Sequence, residues 1–124
     1  MPRVAAKRGA AKRVPSIRLD VLLYPEEGRW AAHCLQLDLV ECAGSARQAE
    51  KNLVEVIGQH IAWAIEDDNL ENLFHPAPGE YWKRLFTARP GGIRLITIPL
   101  THRRGAPALP RVSVQRLEAA ELVA

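Results

Sequence analysis

The chain predicts an α+β fold: a small antiparallel-type sheet, a three-strand meander plus a later strand, covered on one face by one long helix. Three observations carry that expectation. Residues 44–68, GSARQAEKNLVEVIGQHIAWAIEDD, repeat apolar side chains at helical spacing. The segment before them alternates apolar and polar residues between turn signals. Beyond them, Ile93–Leu100 (IRLITIPL) is a compact apolar run of strand length.

The helix is the clearest element. Ser45, with Gln48 three residues on, has the pattern of a capping box. Ala46, Ala49, Leu53, Ile57, Ile61 and Ala64 fall in one sector, flanked by Val54, Val56 and Ile65. Arg47, Gln48, Lys51, Asn52, Glu55, Gln59 and Glu66 take the other side. Asp67-Asp68-Asn69 ends the repeat.

Upstream, Ile17, Leu19, Val21 and Leu23 form the apolar face of a first strand. Pro25-Glu26-Glu27-Gly28 is a tight turn, with the glycine free to adopt positive φ. A second strand runs from Arg29 to about Leu35 with Trp30, Ala32 and Cys34 on one face, and residues 39–43 form a third. Downstream, Leu70, Leu73 and Phe74 are an apolar patch and Glu80–Phe86 a short helix burying Tyr81 or Trp82 with Leu85. Pro90-Gly91-Gly92 reads as a breaker. The apolar character of Ile93–Leu100 points to a place inside the sheet, with Pro99 at its end. Residues 101–110 read as a linker. In the last stretch, Arg111–Leu117 alternates like a strand and Leu117–Val123 suits a frayed helix.

The domain is therefore expected over residues 17–100, between a basic tail (1–16) and a C-terminal stretch (101–124). Of 17 basic residues, Arg3, Lys7, Arg8, Lys12 and Arg13 stand in the first sixteen positions, which hold no acid. The remaining 12 bases face 14 acids, so the net +3 resolves into a +5 leader on a −2 body. The leader lacks the apolar core of a secretory signal. It reads as a solvated tail, and its five cations are the candidate contacts for weak, sequence-independent nucleic-acid binding. Apolar runs are too short for a membrane span, and two cysteines make no disulfide framework. A cytoplasmic protein with free thiols and no cofactor is expected.

The run WAAHCLQLDLVECAGSARQAEKNLVEVI resembles the amino-terminal domain of HicB-like antitoxins. The resemblance rests on Trp30, Ala32, Leu35, Leu37, Gly44, Ala49, Asn52 and Leu53 and covers about residues 17–100. Ser45 stands where the family has threonine, and Arg47-Gln48 where it has an acidic pair. It implies a partial ribonuclease-H-like sheet with one long helix, dimers or tetramers, and a HicA-type toxin, a small mRNA-cleaving protein, as partner. Family members usually add a C-terminal helix-turn-helix or ribbon-helix-helix, for which residues 101–124 are too short and proline-rich.

Two constellations carry chemistry-bearing residue types. Asp20 and Glu50 stand where a ribonuclease-H-like metal site would hold carboxylates. Two-metal catalysis needs several such groups to converge, yet the later strand offers only Thr97, and Asp38 and Glu41 need not point inward. Pairing of Asp20 with Arg18 or Arg29 is the plainer expectation. His33, Cys34, Cys42 and His60 are zinc-ligand types, but they lack ligand spacing, and adjacent His33 and Cys34 point to opposite sheet faces. Trp63, Tyr81 and Trp82 are expected along one rim, closing the core or meeting a partner. The expected function is non-catalytic binding: a HicB-like antitoxin or an orphan relative. A self-associating structural domain and a divergent nuclease are the alternatives.

Overall fold

The computed structural model describes residues 16–98 and 110–119. Five strands, β1 (Ser16–Glu26), β2 (Arg29–Cys34), β3 (Leu39–Ala43), β4 (Arg89–Ile96) and β5 (Arg111–Glu118), form one sheet in the order β3-β2-β1-β5-β4. The long helix α1 (Ala46–Glu66) follows β3, and a short helix α2 (Gly79–Leu85) precedes β4. The fold is α+β as expected, but the sheet is mixed rather than antiparallel. β1 pairs β5 in parallel, Leu19 facing Val114 and Leu22 facing Leu117, while every other pair is antiparallel. No helix among the described residues is long and apolar enough to cross a membrane.

The meander forms because its turns suit its residues. Glu26 pairs with Arg29, leaving a two-residue loop in which Glu27 and Gly28 both take positive φ. That loop type matches the right-handed twist of the strands it joins. Pro25 sits opposite Trp30, beyond the last β1–β5 pair at Leu23, where its missing N–H is not needed.

Along β1 the odd positions Ile17, Leu19, Val21 and Leu23 face α1. They meet Ala49, Leu53, Ile57 and Ile61 from the helix, with Ala32, Cys34, Val112 and Val114 completing the main core. The even positions Leu22 and Tyr24 face the other way, into a second cluster with Ala31, Leu35, Ala77 and Leu117. Tyr81, Trp82 and Leu85 of α2 cover that cluster, so the sheet is helix-covered on both faces rather than one.

α1 begins as the sequence predicts, with the Ser45 hydroxyl accepting from the backbone N–H of Gln48. The box does not close: Gln48 donates its amide to Asn52 one turn on. At the other end Asn69 N–H donates to Ala64 O and Asp68 N–H to Ile65 O, a Schellman closure with Asp68 at φ 53°. Glycine bears that conformation with less strain than aspartate. Asp68→Gly is therefore expected to raise stability by about 0.5–1 kcal/mol, read as a higher thermal midpoint.

The later strands depart most from expectation. Ile93–Leu100 was expected inside the sheet; instead β4 runs Arg89–Ile96 and is the edge strand, with seven of its eight residues exposed. β5, from the stretch with two open readings, takes the inner place between β1 and β4. It can do so because it is two-sided, with Val112 and Val114 toward α1 and Leu117 in the second cluster. β4 contains Pro90-Gly91-Gly92, which sheets tolerate at an edge, and a register shift there absorbs one residue. A Cβ at Gly91 would stand 2.5 Å from Nε of Arg116, so a larger residue there would displace that side chain.

Candidate protein-binding surface

The candidate carboxylates do not meet. Glu50 lies on α1 over the main core and is 4% exposed. It accepts a 3.2 Å hydrogen bond from Arg116 of β5 and faces Arg94 of β4 at 3.7 Å. Asp20 lies on the opposite face of the sheet, since β1 alternates. Its partner is Gln36, not Arg18 or Arg29: the amide donates to Oδ2 at 2.8 Å while Gln36 Oε1 accepts from Asp20 N–H at 2.8 Å. Each carboxylate closes a structural contact, Glu50 tying α1 to two strands and Asp20 fastening β1 to the turn after β2. Among the described residues no three His, Cys, Asp or Glu side chains converge as metal ligands would.

The zinc-ligand types are likewise dispersed. Cys34 is buried among the α1-facing side chains, and that burial pushes its thiol up to about 12, protonated and unreactive. Cys42 is exposed on β3 and His60 is half-buried on α1. His33 points away from Cys34, as the alternation predicts, into a polar network under α2. Its Nε2 lies 2.8 Å from Asp38 Oδ1 and its Nδ1 3.1 Å from the Tyr24 hydroxyl. A carboxylate only accepts, so Nε2 carries the proton and Nδ1 accepts from Tyr24. Burial, then the neighbouring Tyr81, raises the Tyr24 pKa and keeps that donor protonated. Asp38 reaches the ring from a turn position at φ 55°. Tyr81 packs edge-on to His33 at 4.5 Å, and Arg84 lies 4.4 Å over the Tyr24 ring. The network pins α2 to the sheet.

Glu50, Asp20 and His33 are thus engaged inside the fold, and among the described residues the large exposed apolar groups lie elsewhere on the surface. Trp63 projects from α1 with 62% of its area exposed, unlike Tyr81 and Trp82, which lie half-buried beneath the other face. The three aromatics therefore do not share the expected rim. Around Trp63 stand Val56, Gln59 and His60 on the preceding turns and exposed Glu66 and Asp67 after it. A second apolar surface runs along β4, where Ile93 and Leu95 are 68% and 69% exposed. Between β4 and α1 lies a groove of about 670 Å³, walled by Val54, Glu55, Gly58 and Gln59 and floored by Arg94 and Ile96. Arg3, Lys7, Arg8, Lys12 and Arg13, the candidate nucleic-acid contacts, lie outside the described residues.

Sequence reading missed Tyr24, Asp38, Arg94 and Arg116 because each meets its partner only through a turn or a strand pairing, near in the chain for the first two and far for the arginines of Glu50. For Arg116 a signal existed: the alternation of Arg111–Leu117, taken as a strand, puts 112, 114 and 116 on one face. No protein-family model, curated protein or solved structure matches this chain.

Proposed function

We propose that this protein is a non-catalytic binding protein of HicB-like type, which neutralises a small basic mRNA-cleaving toxin by covering it with the outer face of α1. The observation that carries the reading is the exposed Trp63 beside Glu66 and Asp67. An indole supplies a large rigid contact area of the kind enriched at interface centres. The flanking acids suit a partner whose own surface must be cationic to hold RNA, and they speed its capture. The opposed placement of Asp20 and Glu50, each engaged in the fold, supports binding over catalysis. So does the meander leading into a capped helix, the arrangement that the HicB resemblance implies.

The test is co-expression with a small basic reading frame neighbouring the gene, scored as relief of growth arrest. Wild-type protein is expected to relieve it, and Trp63→Glu to lose relief while its melting temperature stays within a few degrees of wild type. In the same preparation, RNA and RNA–DNA hybrids incubated with magnesium or manganese are expected to stay intact. Divalent-dependent cleavage abolished by Glu50→Gln would replace this reading with the nuclease.

A further inference from the structure

We propose that the cup at the C-terminal end of α1 receives an arginine side chain of the protein that α1 binds. The inference rests on the reading of α1 as the partner-facing helix and names the group captured there. One continuous stretch, residues 60–73, builds the cup, and all of it is described. Trp63 and His60 wall it from the last turns of α1, and Asp67 stands at the helix end. Asn69 and Asn72 close it from the turn that follows. Its volume is about 150 Å³. Pockets for drug-sized ligands run to about 300–1,000 Å³, so this space suits the head of one side chain.

Three observations make that head cationic. α1 is a 21-residue helix with no basic residue in its last turn, so nothing in that turn answers the negative end of its dipole. The Asp67 carboxylate makes no ion pair among the described residues, and no lysine or arginine among them lines the cup. The indole of Trp63 is 62% exposed, and its face is the aromatic surface that best attracts a cation. A further acceptor stands beside them. Asn72 Nδ2 donates to Asn69 Oδ1 at 2.6 Å, which leaves the Asn72 amide oxygen to accept.

Arginine meets these groups better than lysine does. A guanidinium is planar, stacks on an indole and donates in a fork to a carboxylate. An ammonium is a compact, strongly hydrated point charge that does neither so well. Stacked on Trp63, the guanidinium forks to Asp67 one helical turn along and keeps an N–H for the Asn72 oxygen. Trp63 then supplies contact area, and Asp67 selects the charge.

A blocked tripeptide, acetyl-Gly-Arg-Gly-amide, titrated into the full chain tests the cup. Nuclear magnetic resonance reads the Trp63 indole N–H and the backbone amides of Asp67 and Asn72. Saturable shifts in the millimolar range are expected. The lysine tripeptide is expected to bind several-fold more weakly, and the citrulline one, which keeps the shape without the charge, not to bind. Asp67→Asn is expected to weaken arginine binding about fivefold. Its melting temperature is expected to match wild type, since Asp67 caps α1 through its backbone N–H. No saturable shift, equal shifts from arginine and either control, or full binding in Asp67→Asn would each overturn the proposal. Co-expression separates the pocket from the toxin reading. Relief lost in Trp63→Glu beside a silent arginine titration would overturn the cup and keep that reading. Saturable arginine binding without relief by wild type would uphold the cup and remove it.

Discussion

Leu53→Ala is expected to destabilise the protein by about 2–5 kcal/mol, because it empties the middle of the main core. Leu53 has no exposed surface and packs with Ile57, Leu23, Ala32 and Cys34 in the cluster joining α1 to the meander. The loss combines the transfer energy of the removed atoms with the cavity left between helix and sheet. For a small domain this is a large part of total stability. Chemical denaturation with a lowered midpoint and unchanged slope is the expected reading. Wild-type stability in this variant would place the apolar stripe of α1 in solvent and undo the architecture.

Glu50→Ala is expected to cost about 2–4 kcal/mol, a little less than breaking a fully buried ion pair. The carboxylate is buried, but its partners Arg94 and Arg116 are 49% and 38% exposed and partly rehydrate when released. Arg116 suffers most, since its Nε already finds no acceptor among the described residues. Asp20→Asn, on the opposite face, is expected to cost under about 1 kcal/mol, the worth of one hydrogen bond. The two carboxylates share no partner, so the double variant is expected to be additive. Strong non-additivity, together with a melting temperature raised by manganese in wild type alone, would show that they share a cation after all.

Both variants test contacts of different legibility. The stripe containing Leu53 follows from spacing within twenty consecutive residues, and the helix that buries it has the predicted start, side and end. The meander was equally readable, because period-two alternation and the Glu27-Gly28 turn are local properties. The opposed directions of His33 and Cys34 followed from alternation alone. The partners of His33 did not, since Asp38 and Tyr24 reach it only after a turn and a strand pairing have formed.

Glu50 marks where local reasoning stops. Its partner Arg116 is 66 residues away, and they meet only because β5 enters the sheet beside β1. Hydrophobicity favoured Ile93–Leu100 for that inner place. Tertiary packing gave it to Arg111–Glu118, whose two faces fill both cores, and left Pro90, Gly91 and the exposed Ile93 and Leu95 at the rim. The sequence by itself determined the meander, the capped amphipathic helix and the side it buries, because neighbours in the chain set periodicity and turns. The tertiary structure decided the strand order, the pairing of Glu50 and the exposure of Trp63 and β4. Those depend on which distant segments compete for the same slot, and the winner is the one that leaves fewest apolar faces and backbone donors unpaired.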